Sequence, residues 1–136
     1  MRPLTVFLAR LIGLALIVFS LSVYTHGRTA AEATMALVHS PPALWLSGTI
    51  LLFAGLASVL GHNVWSGGVL PVVVTLIGWL ILIRGLLLLF LPPEVVAGLV
   101  DALQFERHLT VYAAVPLILG AWLAYAGFRA RSPHRE

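Results

Sequence analysis

The chain has 136 residues, 60% of them hydrophobic and only 10% charged, with a mean hydropathy of +1.03. A soluble domain carries about a quarter of its residues as charges, so this composition excludes an ordinary soluble protein. The net charge of +3 comes from arginine without lysine, and the absence of cysteine excludes disulfides, thiolate metal centres and cysteine nucleophiles.

An isoelectric point near 10.2 suggests nucleic acid in a soluble protein. Here the arginines flank apolar segments, where membrane topology accounts for them, and no nucleic-acid partner is expected. No Asp, Glu, Lys or Arg occurs from Ala33 to Ile83. A bilayer-spanning helix needs about 20 apolar residues, so that run is long enough for two spans and a turn. The partner implied first is the lipid bilayer.

Four apolar segments follow in chain order, roughly residues 4–25, 44–60, 69–91 and 110–128. The first has Arg2 ahead of it like a signal peptide, but its apolar stretch exceeds the about 7–15 residues of a signal core. It is expected to be a retained first span. Arg2 and Arg10 flank the start of the first span and Arg129, Arg131 and Arg135 follow the last, against Arg28 and Arg107 in the first and third connections. The positive-inside rule then predicts cytoplasmic termini. Tyr24 and Trp45 at one face, and Trp65 and Tyr125 at the other, suit interfacial aromatic belts.

The two connections on the outer side read as short helices. Residues 29–39 begin with Thr29 and place Glu32 three positions later, the spacing of a capping box, and Pro41-Pro42 ends the segment and opens the second span. Residues 92–108 start with Pro92-Pro93 and Glu94, suited to a helix start. Val95, Val96, Leu99, Val100 and Leu103 recur at helical spacing, with Glu94, Asp101, Gln104 and His108 opposite. The spacing predicts an amphipathic helix over 94–108, lying at the interface or packed on the end of the bundle. The expected fold is an all-α, four-helix transmembrane bundle with two short amphipathic outer-face helices, forming one domain over 1–136. "LIGLALI" (11–17) and "LIGWLIL" (76–82) take similar places in the first and third spans, a short internal echo compatible with duplication.

The inner turn "GHNVWSGG" (61–68) is the least generic stretch. Gly61 suits a left-handed residue ending a helix, Asn63 tolerates such geometry, and Gly67-Gly68 lets the chain reverse. Ser66 is placed to cap the next helix, with Pro71 in its first turn. Trp65 is an interfacial anchor. His62 reads as a solvated interfacial histidine, with a proton relay or ligand at the cytoplasmic mouth as the alternative. Small residues at Ala54/Ser58, Ala57/Gly61 and Gly120/Ala124, and Gly78 with Gly85 on one face, point to close helix packing.

Arg84 is the one charge near the middle of a span, Arg10 lying closer to the start of the first. It lies seven residues from the end of the third segment, about 10 Å at 1.5 Å per residue. A central arginine costs about 2.5–3.5 kcal/mol on insertion scales, so a partner is expected. Glu32, Glu94, Asp101 and Glu106 are the acids within reach of the outer connections, beside backbone carbonyls, lipid phosphate or another subunit. His26, His39 and His108, with Glu106 nearby, sit at outer span ends and form the candidate set for a metal or haem. Their spacing matches no ligand motif, and no cofactor is expected. Nucleotide, hydrolase and metalloprotease signatures are absent, and no acid lies within a span to relay protons.

The stretch 61–93, above all His62, Asn63, Trp65 and Gly78-Trp79, resembles small uncharacterised bacterial four-span membrane proteins. That resemblance implies a bacterial inner-membrane location and no activity. Span count and length are similar to those of DoxX-type proteins, without a matching motif. The expected function is a non-catalytic subunit or scaffold that associates through helix faces, in a homo-oligomer or with other membrane-protein subunits. The alternatives are a small oligomeric channel or transporter using Arg84, and an outer-face metal or haem binder. Arg84, His62, Asn63, Trp65, Asp101 and Glu106 are the candidate binding residues.

Overall fold

The computed structural model describes residues 2–104 and 107–130. Among these the chain forms six α-helices: α1 (Pro3–Thr25), α2 (Gly27–Val38), α3 (Pro41–Gly61), α4 (Val69–Phe90), α5 (Pro93–Ala102) and α6 (Leu109–Arg129). Four of them, α1, α3, α4 and α6, are long and apolar enough to cross a membrane. Prolines open α1, α3 and α5 within their first two positions, where a missing N–H costs no helical hydrogen bond. The chain is an all-α, multi-pass membrane protein.

The spans pack in two pairs, α1 on α6 and α3 on α4, with a thinner seam where α1 meets α4. Glycine sets the closeness of each pair. A Cβ on Gly13 would lie 2.5 Å from the Ala124 nitrogen, and one on Gly55 would lie 2.5 Å from the Leu82 nitrogen and Cα. Gly85 fits equally tightly against Leu52, and Gly120 against Gly13. In lipid no hydrophobic force drives helices together, so such backbone contact supplies the dispersion energy that does. The expected pair Gly120/Ala124 packs on Gly13, and Gly78 meets Ser58, whereas Ala54, Ala57 and Gly61 face outward.

The echo between the first and third spans extends over both halves. A shift of 65 positions carries α1 onto α4, α2 onto α5 and α3 onto α6, to within a few residues at each end. It also carries buried Val6, Ala9, Gly13, Ser20, Ala31, Gly48 and Gly55 onto buried Pro71, Val74, Gly78, Gly85, Val96, Ala113 and Gly120. Each half gives its first span to the last span of the other half. The halves are interlocked: within each half the two spans are not the ones most closely packed.

The start of α1, the end of α6 and the 62–68 turn share one end of the bundle, the turn end. There Leu8, Ala9, Leu70, Val74 and Leu123 form a buried cluster joining α1, α4 and α6. At the opposite cap end Val38, Leu44 and Val96 join α2, α3 and α5. Tyr24 and Trp45 at the cap end, and Trp65 and Tyr125 at the turn end, are all exposed, as an aromatic belt requires.

Three local expectations are corrected. α2 begins at Gly27, two residues before Thr29, so the capping box does not form, and Glu32 instead meets Arg28 one turn earlier at 3.3 Å. α5 stops at Ala102, short of His108, because Gln104 takes a left-handed φ of 47°. α3 ends without a left-handed residue at Gly61, and neither Asn63 nor Ser66 serves as expected. The positive φ values fall on Gly67 and Gly68, and Gly68 itself precedes α4.

Candidate functional site

The turn end is organised by Thr75, a residue the sequence did not mark out. Its hydroxyl sits one turn above Pro71 and lies 2.9 Å from that carbonyl, while the Val64 N–H donates to it at 3.0 Å. The same oxygen is 3.0 Å from the Val64 carbonyl and 3.4 Å from that of His62. A threonine buried in the first turns of α4 thereby satisfies backbone groups of a turn that has no ladder of its own.

Around it, three of the motif residues converge. Asn63 Oδ1 accepts from the Trp65 indole at 2.7 Å and lies 3.5 Å from the Trp79 indole nitrogen. One exposed amide thus orients two interfacial indoles from different elements. His62 departs from expectation: it is buried, only 2% exposed, and its Nε2 has no partner among the described residues. The apolar run before it and the packing of α3 on α4 carry it into the bundle, which sequence spacing alone cannot show. Opposite in the other half, Arg10 donates its Nε–H to the Gly127 carbonyl at 2.9 Å and lays its guanidinium 4.9 Å from the Phe128 ring. In the sequence Arg10 is a topology signal; in the structure it also locks α1 to α6.

At the cap end a cavity of about 310 Å³ opens between α2 and α5. Thr34 and Met35 of α2 form one wall, and Val100, Asp101, Gln104 and Arg107 form the other. Asp101 is exposed, as expected of the polar side of this segment, and Val96 is buried on the other side. Glu106 lies outside the described residues. Tyr112 of α6 donates its hydroxyl to the Leu103 carbonyl at 3.0 Å and so fixes the turn that follows α5.

The three cap-end histidines, His26, His39 and His108, are not brought together. The Nδ1 atoms of His39 and His108 lie 2.8 and 3.3 Å from the Met35 and Gln104 carbonyls, and that of His26 lies 2.9 Å from the Thr25 hydroxyl. Among the described residues no three His, Asp or Glu side chains form a group able to hold a metal.

Arg84 is exposed on α4, six residues before the helix ends at Phe90. It makes no hydrogen bond or ion pair with any described residue, and the one ion pair among them is Arg28–Glu32. The expected tie to a cap acid is therefore not made within the described chain.

These features define a multi-pass membrane protein with four candidate spans, two cap helices and interlocked halves. Comparison with protein-family models, with curated proteins and with solved structures finds no match, so the resemblance of residues 61–93 extends to no family.

Proposed function

We propose that this chain is a non-catalytic membrane subunit that assembles, with copies of itself or with other membrane proteins, through the outward faces of its spans. The observation that carries the reading is Arg84. It stands at span depth, exposed and unpaired among the described residues. Charged residues in spans almost always face a bundle interior or a water-filled cavity, because hydrocarbon leaves their donors unsatisfied. A neighbouring subunit supplies that interior here, with a carboxylate or carbonyl for the guanidinium fork.

The arginine distribution supports cytoplasmic termini and a cytoplasmic 62–68 turn, with both cap helices on the outer face of a bacterial inner membrane. A pathway reading also starts from Arg84, since an oligomer that surrounds it would present a cation to a permeating anion. The test is native mass and thermal stability in mild detergent for wild type, Arg84→Leu and Arg84→Lys. Assembly that is lost with Leu and partly kept with Lys supports the subunit reading, because a point charge replaces only part of a bidentate contact. Unchanged assembly with Arg84→Leu, alongside lost anion flux into proteoliposomes, replaces it with the pathway reading.

A further inference from the structure

The cap-end cavity lies between α2 and α5, the corresponding helices of the two halves. Met35 and Val100 are counterparts at the shift of 65 positions, and both line it. The next positions are Ala36 and Asp101, so the match stops there: only the second half carries charge. One wall is apolar with a hydroxyl, and the other offers a carboxylate, an amide and a guanidinium.

The turn after α5 is what brings the two charges to one cavity. Had the helix run on through Arg107, six residues of α-helix would have turned that side chain about 120° away from Asp101. Instead Gln104 adopts φ 47°, the one positive value among described non-glycine residues. A left-handed residue with a side chain costs roughly 1–2 kcal/mol, and the Tyr112–Leu103 hydrogen bond holds the resulting turn. Asp101 and Arg107 then line the same space without forming an ion pair with each other or with any other described residue. Both charges are available to a ligand.

We infer that this cavity binds a zwitterionic head group in which an ammonium is joined to a phosphate, the ammonium at Asp101 and the phosphate at Arg107. The planar guanidinium suits two phosphate oxygens, and the carboxylate suits an ammonium. Thr34 donates its own hydroxyl to the Ala30 carbonyl at 2.8 Å, which leaves its oxygen to accept from the ammonium. Gln104 has both a donor and an acceptor for the phosphate ester. Met35 and Val100 cover the carbon linker. The position supports the chemistry, since the cavity lies at the end of the bundle where all four spans end, the level at which a bilayer matched to their length would set its head groups. A soluble phosphate–ammonium ester presents the same groups, so the experiment separates the two sources.

The test uses the full chain in nonionic detergent and in nanodiscs. Titration with glycerophosphoethanolamine, glycerol phosphate and ethanolamine measures the free head group and its two halves. Nanodiscs of phosphatidylethanolamine and of phosphatidylglycerol, followed by native mass spectrometry, measure retained lipid. Wild type is expected to prefer the ethanolamine form over the glycerol form in at least one pair. Asp101→Asn should remove that preference, and Arg107→Gln should weaken both forms about tenfold. Met35→Trp, which fills the space, should abolish binding. Thermal unfolding should be unchanged for the first two variants, whose side chains are exposed. Saturable binding of the soluble zwitterion assigns a free ligand, and retention of lipid alone assigns a membrane one. No preference in wild type, or equal binding by the variants, overturns the inference.

Discussion

Arg10 donates its Nε–H to the carbonyl oxygen of Gly127 at 2.9 Å. Its counterpart Thr75, 65 positions later, sets its hydroxyl 3.4 Å from the carbonyl of His62, the residue 65 positions before Gly127. The first span of each half thus meets the residue at the end of the other half's last span. The backbone arrangement is shared while the chemistry differs. One contact uses a guanidinium over an aromatic ring, and the other uses a buried hydroxyl under a turn.

Replacing Arg10 with leucine should lower stability by about 1.5–3 kcal/mol, the range for a hydrogen bond from a charged donor. Lysine should restore only part, because its ammonium cannot stack flat on Phe128 while meeting the carbonyl. Thermal unfolding in detergent checks both. Equal stability of all three proteins would show that the contact contributes nothing.

Two glycine-to-alanine changes should act in opposite directions. Gly55→Ala places a methyl 2.5 Å from the Leu82 backbone, and overpacking of this kind costs about 1–3 kcal/mol. Gly98 lies inside α5 with nothing within 4 Å of an added Cβ. There alanine should stabilise by roughly 0.5–1 kcal/mol through lost unfolded-state entropy. A melting comparison in which both variants move the same way contradicts the packing described.

His62 separates volume from polarity. His62→Ala should leave a void and cost roughly the 2–5 kcal/mol of a large-to-small core change. His62→Leu keeps most of the volume and removes an unpartnered buried nitrogen, a relief of about 1–3 kcal/mol that offsets imperfect shape. Leucine should therefore melt near or above wild type. If it melts with alanine, Nε2 has a partner in the native membrane.

Orientation is open to single-cysteine labelling, since the chain has no cysteine of its own. Ala36 on α2 and Ser66 in the turn are both exposed, at opposite ends of the bundle. Ala36→Cys should react with an impermeant maleimide in intact cells, and Ser66→Cys only after lysis. The reverse pattern would invert the proposed topology and put the cap cavity in the cytoplasm.

Span existence was legible from apolar length alone, and each segment lies within three residues of its helix. Val96 inward and Asp101 outward were legible from helical spacing. The capping box at Thr29 failed because α1 runs to Thr25 and the next helix restarts at Gly27, leaving no extended residue there for a cap. Convergence of Asn63, Trp65 and Trp79 on one amide joins residues 16 positions apart in different elements. Their positions in the sequence put them near the same end and no closer.

What the amino-acid sequence determined by itself is the solvent and the elements. With only Arg10 and Arg84 charged within the four apolar segments, and about 20 residues in each, only membrane-crossing helices satisfy the backbone. What the tertiary structure decided is which spans pair, where His62 goes, and that Arg84 finds no described partner. Every span is apolar around most of its circumference, so hydrophobic periodicity does not say which face meets protein and which meets lipid. Glycine contacts a few ångströms deep make that choice, and they exist only once two helices have met in register. The cap cavity has the same origin: α5 stops before Arg107, with Gln104 at a left-handed φ, and Arg107 lines the same space as Asp101.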